Sequence, residues 1–306
     1  MKIGTLPTAL RGPGHRSGRW LIRVLATAVL ATALPLFAAT EAQAGRHVVT
    51  SFGVADWDGD GHPDIIARDY NTGYLWLHPG DGRRGYSAET RVRIGNGWSG
   101  FTSFGIADWD GDGHQDIVAR DDATGDLWLY PGQSRRGYST QAPVKIGYAW
   151  GLFTPFGVTD WDGDGHQDLV FRNDSTGDLW LYPGESRRVS SSQAMVKIGN
   201  GWGGYTPFGV ADWDRDGHQD VIAEDAAGYL WLYPGESKRG YSGQTRVRIG
   251  NGWTWYDCFG IADWDGDGHQ DILARYYTTL DLWLYPGQSK RGYSGQAPVR
   301  IGDNWY

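Results

Sequence analysis

Cysteine is nearly absent from this sequence, since Cys258 is the only one among 306 residues. A chain with a single cysteine cannot form an internal disulfide bond. The stability of the fold must therefore come from other sources. Burial of apolar groups and bound metal ions are the remaining candidates.

Basic residues are scarce relative to acidic ones. After residue 44 the chain has 35 acidic and 23 basic residues, which gives a net charge of −12. Proteins that bind nucleic acid usually present a basic surface. We therefore expect no nucleic-acid partner.

Long hydrophobic runs are also lacking, with one exception near the start. The apolar stretch Val24–Ala39 follows five basic residues and precedes the small residues Ala42-Gln43-Ala44. This pattern predicts an export signal over residues 1–44, with the mature chain beginning at Gly45. A membrane anchor is the alternative, but the run is shorter than the roughly 20 residues of a spanning helix and contains Pro35. We expect a secreted, extracellular protein that does not insert into a membrane.

The remainder of the chain is built from one repeated unit. The segment that begins Phe52-Gly53-Val54-Ala55-Asp56 returns at four later phenylalanines, at spacings of 52, 52, 52 and 51 residues (Phe104, Phe156, Phe208 and Phe259). Such regularity indicates a repeat architecture. The predicted repeats, which together fill residues 45–306 as one domain, are approximately 49–100, 101–152, 153–204, 205–255 and 256–306.

Each repeat has the pattern of β-strands and none of an α-helix. Alternating or β-branched runs predict strands over Thr50–Trp57, Ile65–Arg68, Tyr74–His78 and Arg91–Ile94 in the first repeat. The tight-turn sequence Asn71-Thr72-Gly73 joins the second and third as a hairpin. Four antiparallel strands in a repeat of this length predict an all-β, five-bladed β-propeller.

Polar capping repeats are missing, which favours a closed ring over an open array. In a closed ring the C-terminal segment must meet the N-terminal strand near Val49. Fifteen of the seventeen tryptophans occupy three fixed repeat positions, which are Trp57, Trp76 and Trp98 in the first repeat. Aromatic side chains of this size dominate burial, so packing between blades is the expected role of Trp76.

An acidic loop follows the first strand of every repeat. In Asp56-Trp57-Asp58-Gly59-Asp60-Gly61-His62-Pro63-Asp64, carboxylates occupy positions 1, 3, 5 and 9, and glycine occupies position 6. This donor set, with the backbone oxygen of position 7, suits a calcium ion. The predicted ligands are Asp56, Asp58, Asp60, Asp64, Asp108, Asp110, Asp112, Asp116, Asp160, Asp162, Asp164, Asp168, Asp212, Asp214, Asp216, Asp220, Asp263, Asp265, Asp267 and Asp271, with the backbone oxygens of His62, His114, His166, His218 and His269.

Acidic surface turns are common, but five loops in register with no carboxylate missing favour about five Ca²⁺ ions. Without metal, four carboxylates in one loop would repel one another. Arg215 replaces glycine at position 4 of the fourth loop, which predicts unusual backbone angles there and a weaker site. The position-7 histidine side chains are expected to lie exposed in the loops.

The sequence does not indicate an enzyme. Aspartate pairs such as those flanking Trp57 could serve glycoside hydrolysis, but each pair belongs to a metal loop. No nucleophile motif occurs, and no repeat departs from the others as a single catalytic centre would require. We therefore expect a binding protein.

The loops, each preceded by Phe-Gly as at Phe52-Gly53, resemble the FG-GAP or VCBS repeats of integrin-type calcium propellers. Those propellers usually have seven blades. The second half of the repeat resembles the five-bladed tachylectin-type lectins, through Ile94-Gly95-Asn96-Gly97-Trp98 and its copies. That resemblance implies sites for N-acetylated hexoses between neighbouring blades. The residues it marks as sugar-binding are Asn96, Trp98, Trp150, Asn200, Trp202, Asn251, Trp253, Asn304 and Trp305.

In such a site the tryptophan would stack on the sugar and the asparagine would bind its polar groups. Tyr148-Ala149 replaces Asn-Gly in the second repeat and predicts an altered or lost site. Alternatively, Asn-Gly is only a turn and the tryptophan fills the groove between blades.

Two functions remain open from the sequence. The first is a secreted multivalent lectin that binds glycans on a cell surface. The second is a protein-interaction propeller, such as the targeting subunit of a larger secreted, toxin-like assembly. The basic and aromatic loop at residues 83–87 and its copies could contact such a partner.

Overall fold

The computed structural model describes residues 49–85 and 87–305. The predicted export signal lies outside these residues. Within the described part of the chain, no helix has the length and apolarity needed to cross a membrane.

The described residues form twenty strands in five four-stranded antiparallel sheets, and each sheet uses four consecutive strands. Blades 1 to 3 are built from β1 (Val49–Ala55), β2 (Asp64–Asp69), β3 (Leu75–His78) and β4 (Val92–Gly95), then β5 (Phe101–Ala107), β6 (Asp116–Asp121), β7 (Leu127–Tyr130) and β8 (Val144–Gly147), then β9 (Phe153–Thr159), β10 (Asp168–Asn173), β11 (Asp178–Tyr182) and β12 (Val196–Gly199). Blades 4 and 5 are built from β13 (Tyr205–Ala211), β14 (Asp220–Asp225), β15 (Tyr229–Tyr233) and β16 (Val247–Asn251), then β17 (Tyr256–Ala262), β18 (Asp271–Tyr276), β19 (Leu282–Tyr285) and β20 (Val299–Gly302), with a 3₁₀ turn at Trp253–Trp255 between the two blades. The predicted five-bladed propeller is confirmed.

The first strand of each blade lies nearest the ring axis, and the Phe-Gly pair shapes it. In β1 the register shifts between Ser51 and Gly53, and Gly53 has φ +147°. A Cβ on Gly53 would lie 3.0 Å from Ile106 in blade 2. Glycine therefore provides both the bulge and the close approach of neighbouring inner strands.

The first strand of blade 1 meets the C-terminal segment of blade 5, as predicted. The Arg275 guanidinium in blade 5 donates to the carbonyl oxygens of Val49 (2.7 Å) and Trp305 (2.8 Å). The Ser51 hydroxyl donates to the Phe259 carbonyl at 2.5 Å. Because no strand is exchanged between blades 1 and 5, side-chain packing and these hydrogen bonds close the ring.

The apolar core consists of five clusters, and each one spans a junction between two blades. In the first blade Leu75, Leu77, Trp57 and Trp98 are buried in this way. Trp76 lies on the other face of β3, half-buried, with the Arg91 guanidinium 4.4 Å from its ring centroid. Leu75 and Leu77, on either side of Trp76, therefore fill the junction between the blades. The packing role that the sequence predicts for Trp76 is taken by these two leucines.

Candidate metal centres and inter-blade clefts

The acidic loops connect the first and second strands of each blade. In blade 1, Asp56, Asp58 and Asp64 each place a carboxylate oxygen within 4.8 Å of the other two. The same three positions cluster in the other blades (Asp108, Asp110 and Asp116; Asp160, Asp162 and Asp168; Asp212, Asp214 and Asp220; Asp263, Asp265 and Asp271). The structure thus brings together positions 1, 3 and 9. The position-5 aspartates are outside these clusters.

The position-9 aspartate anchors the loop. Oδ2 of Asp64 accepts the backbone N–H of Trp57 (3.0 Å), and Oδ1 accepts that of Gly80 (2.9 Å). Burial raises the pKa of Asp64 to about 7, and the nearby charge of Asp58 also raises it. The same pKa value is reached at the other four anchors (Asp116, Asp168, Asp220 and Asp271). A carboxylate so situated is stabilised by a neighbouring cation.

The position-1 aspartates show that the donor set fits a cation. In four blades Oδ1 of this residue is buried and has no hydrogen-bond partner within the described chain (Asp108, Asp160, Asp212 and Asp263). In blade 1 the equivalent oxygen of Asp56 accepts the N–H of Gly59 at 2.8 Å. Buried carboxylate oxygens without a donor are costly, and a hard divalent cation would satisfy them. Five Asp clusters, one per blade, could therefore hold metal ions.

The position-7 histidines are more enclosed than the sequence suggested. Nδ1 of His114 lies 2.8 Å from the hydroxyl of Ser134 in the same blade, and three other histidines make the same contact at 2.7–2.8 Å (His166–Ser186, His218–Ser237 and His269–Ser289). These four side chains are half-buried, whereas His62, which faces Gly82, is exposed. In these four blades the serine joins the loop to the connection between the third and fourth strands.

Arg215 has the unusual backbone geometry predicted for it. Its φ is +59°, close to the +70° to +79° of the four glycines at this position. Asp212, Asp214 and Asp220 nevertheless cluster like the equivalent residues of other blades. The substitution strains the backbone without displacing the donors.

Sequence reasoning missed one set of residues, the second basic residue of the loop at residues 83–87 and its copies. Arg136 of blade 2 pairs through Nε with Asp58 and through Nη2 (2.9 Å) with Asp60, both in the loop of blade 1. Every junction has this guanidinium, which for convenience we call the junction arginine (Arg84, Arg136, Arg188, Arg239 and Arg291). These arginines are therefore engaged within the ring. Contact of the remaining residues of this loop with a partner stays a prediction.

The repeats contain a sequence signal for the pairing of the junction arginines with the loop aspartates. The first basic residue of the pair is arginine in three repeats and lysine in two, at Lys238 and Lys290. The second is arginine in all five. A position that needs the planar fork of arginine, and not only a positive charge, shows this pattern.

Clefts open at the outer part of the junctions. One, of about 300 Å³, lies between Asn251 and Trp253 of blade 4 and Tyr293, Ser294 and Gln296 of blade 5. The cleft between blades 1 and 2, of about 170 Å³, is lined by the residues at the equivalent repeat positions (Asn96, Trp98, Tyr138, Ser139 and Gln141). At the junction of blades 3 and 4, Asn200 Nδ2 lies 3.5 Å from the hydroxyl of Tyr241. Asparagine and tyrosine thus face each other across three junctions.

The structure corrects the stacking role predicted for the tryptophans. Trp98, Trp150, Trp202 and Trp253 are only 2–7% exposed, and their indole rings pack against aromatic residues of the junction core. The ring centroid of Trp98 lies 5.4 Å from that of Phe52 in the same blade and 4.4 Å from that of Tyr130 in blade 2. The groove-filling alternative therefore describes these side chains. The rings that remain accessible are Tyr138, Tyr241 and Tyr293, each 40–47% exposed.

The register at the end of the chain also differs from the prediction. Asn304, with φ +54°, takes the turn position of Gly97 (φ +76°), whereas Asp303 takes the position of Asn96. Asp303 and Trp305 line a cleft of about 300 Å³ with Ser87 and Glu89 of blade 1. This fifth cleft is therefore more acidic than its counterparts, and Asn304 is not among its lining residues.

The junction of blades 2 and 3 departs from the pattern on both sides. Tyr148 replaces the asparagine, and the repeat register places Ser190 opposite it, where other blades have the cleft tyrosine. Ala149 adopts φ +63° in the glycine position. The predicted alteration of this site therefore extends to the facing blade.

The comparisons agree with the fold and the loops. A family model described as the FG-GAP-like repeat matches residues 56–119, 160–223 and 212–274. A search of curated proteins gives no match. The matched residues cover the acidic loops and second strands of the blades and amount to more than half of the chain. On this evidence the chain belongs to the family of FG-GAP repeat proteins.

Proposed function

We propose that this propeller is an exported, multivalent carbohydrate-binding protein whose ring is held by calcium ions. The FG-GAP repeats and the fold support a propeller that binds a protein or other ligand. The observation that favours a sugar is the recurring asparagine–tyrosine cleft at the blade junctions.

The chemistry of the cleft suits an N-acetylated hexose. An exposed tyrosine ring, such as Tyr293, offers an apolar face for the pyranose and a hydroxyl for hydrogen bonding. The amide of Asn251 can donate to and accept from hydroxyl or acetamido groups, as can Ser294 and Gln296. The floor of the cleft, at Trp253 and Pro298, supplies apolar contact for a methyl group.

Repetition of a shallow cleft increases the strength of binding to a surface that displays many sugars. Several sites on one rigid ring act together when the sugars are close enough to be bound at once. The five blades present their clefts at intervals around the ring. This geometry favours cell-surface glycans over a free monosaccharide as the biological ligand.

The loops belong to this function as scaffold. Asp56, Asp58 and Asp64 and their copies would hold the ion, and the position-5 aspartate and position-7 carbonyl would complete its oxygen ligands. Bound calcium supplies the positive charge that offsets the clustered carboxylates of each loop. The buried anchors Asp116 and Asp271 fix the loops of blades 2 and 5 to the connection between the third and fourth strands, which in these blades also carries the cleft tyrosine.

The proposal is tested by a glycan array probed with residues 45–306 in calcium and again in chelator. We expect retention on N-acetylated hexoses, lost when the free sugar is added. The variant with Asn251→Ala and Tyr293→Ala should lose part of this binding, whereas Tyr148→Ala should retain it. A blank array with folded protein would contradict the proposal and would favour a protein partner.

A further inference from the structure

The metal loops do not end at the boundary of their own blade. At each junction one guanidinium from the next blade bonds two loop aspartates of the preceding blade. Arg188 of blade 3 pairs through Nε with Asp110 and through Nη2 (2.7 Å) with Asp112. Its Nη1 donates to Gln141, which also belongs to blade 2. All three acceptors of the guanidinium thus lie in the neighbouring blade.

The two aspartates are those at positions 3 and 5 of the loop. The position-3 side chains are only 2–5% exposed at the five junctions, so the guanidinium meets a nearly buried carboxylate. In the blade 2 loop Oδ2 of both residues accepts from Arg188. Oδ1 of Asp110 accepts the backbone N–H of Asp112 (3.1 Å), and Oδ1 of Asp112 that of His114 (3.0 Å). Each oxygen has a second lone pair, so a cation can still be coordinated.

This arrangement fixes the rotation of both carboxylates. A planar guanidinium that bonds two carboxylates and an amide at once leaves little freedom to any of them. Groups that orient metal ligands in this way are often worth 10- to 100-fold in metal affinity.

We propose that the junction arginine is a positioning residue for the metal site of the preceding blade, so that each site is complete only when two blades are in contact. Metal binding and blade contact are then thermodynamically linked, because each favours the geometry that the other requires. The same linkage operates at the closure of the ring, where Arg84 of blade 1 bonds Asp265 and Asp267 (2.5 Å) of blade 5. This inference rests on metal occupancy of the loops and not on sugar binding.

The sign of the effect distinguishes positioning from simple charge. A positive guanidinium beside the loop repels a cation, so its removal would raise metal affinity if charge alone mattered. Positioning predicts the opposite result. Arg188→Gln should therefore lower the affinity of one site among five by about 10- to 100-fold.

The experiment is a titration of the metal-free protein with Tb³⁺, a luminescent substitute for Ca²⁺ that the loop tryptophans can sensitise. We expect about one fifth of the Arg188→Gln signal to move to a higher Tb³⁺ concentration. Arg187→Gln is the matched control, because Arg187 pairs with Glu185 in its own loop and should leave all sites unchanged. Arg188→Lys should also weaken one site, since lysine keeps the charge but not the fork.

Two double variants show which loop is weakened by the loss of Arg188. Asp108→Asn removes a predicted ligand from the blade 2 loop, and adding Arg188→Gln should then weaken no further site. Asp160→Asn removes one from the blade 3 loop, and there Arg188→Gln should still weaken a second site. The melting temperature of each metal-free variant shows whether it is folded at the temperature of the titration.

Unchanged or increased affinity in Arg188→Gln would overturn the inference, and so would full affinity in Arg188→Lys. Loss confined to the blade 3 loop would contradict the sharing of the site between blades. If the unaltered protein binds no Tb³⁺ or Ca²⁺, both this inference and the proposed metal occupancy are wrong. If it binds metal but no sugar, only the lectin proposal fails.

Discussion

The acidic loops and the outer clefts are built into the same five repeats, but they differ in how strictly they are repeated. All five loops retain four aspartates, one of which is the buried anchor, and each pairs with a junction arginine of the next blade, whereas the clefts vary. Asparagine faces tyrosine at three junctions, Asp303 replaces the asparagine at a fourth, and Tyr148 with Ser190 differs at the remaining one. A ring with five equal junctions cannot lose one loop without weakening its closure, but a multivalent surface can lose one cleft. Under the proposed function, the loops are the scaffold and the clefts are where binding can diversify.

The largest effect that separates these regions should come from metal removal. Chelation leaves every loop with clustered carboxylates, and it removes about 2.7 kcal/mol per site for an ion present at 100 times its dissociation constant. Across five loops we expect the melting temperature to fall by about 20 °C or more. Thermal melts in calcium and in chelator measure this. An unchanged melt would show that the ions do not hold the scaffold.

A single buried anchor should have the next largest effect. In Asp168→Asn an amide group replaces one oxygen that accepts the N–H of Trp161 (3.0 Å) or Gly184 (2.8 Å). We expect a loss of about 3 kcal/mol in the free energy of unfolding, measured by denaturant titration in calcium. Asp178→Asn is the control, because Asp178 pairs with Lys197 on the outside of the blade and should cost much less than Asp168→Asn. Equal effects of the two variants would contradict the anchoring role.

A third test restores the asparagine–tyrosine pair at the junction of blades 2 and 3, where the cleft residues differ from those of the other junctions. Tyr148→Asn combined with Ser190→Tyr restores the facing pair at the junction of blades 2 and 3. We expect one additional sugar site and an unchanged melting temperature, because neither residue belongs to the junction core. Native mass spectrometry with N-acetylglucosamine counts the sites. If the count does not change, the asparagine–tyrosine pair is not sufficient to form a site.

The smallest effect concerns the one irregular loop. Arg215→Gly places glycine at a residue with φ +59° and removes left-handed strain of about 1 kcal/mol. The melting temperature should rise by about 2–4 °C. Lys238→Gly, which also removes a long basic side chain but at an exposed first basic position, should give no such increase. A decrease in Arg215→Gly would indicate that the arginine makes a stabilising contact.

The sequence predicted the fold and the loops because both depend on local patterns that recur. The 52-residue spacing, tight turns such as Asn71-Thr72-Gly73 and the position of each aspartate are visible without knowledge of distant contacts. Most predicted strand bounds are within one or two residues of those observed. The first strand ends at Ala55, because Asp56 already begins the loop.

The clefts and the junction arginines could not be predicted in the same way, because they form between blades. The partner of Asn251 is Tyr293, and the partner of Arg188 is Asp110, 78 residues away. The motif alone predicts sugar stacking for the tryptophans, and only packing shows that Phe52 and Tyr130 cover the ring of Trp98. Contacts across a junction depend on how two blades pack together, and this packing cannot be read from the sequence of a single repeat.

In the proposed function, a metal-held ring presents several sugar sites at its blade junctions. Native mass spectrometry of residues 45–306 with calcium and N-acetylglucosamine tests both parts of this proposal, since it counts ions and sugars on the same molecule. We predict about five calcium ions and more than one sugar on the folded protein, with fewer sugars on the variant with Asn251→Ala and Tyr293→Ala. Folded protein that carries no bound calcium, or calcium without any bound sugar, would contradict the claim.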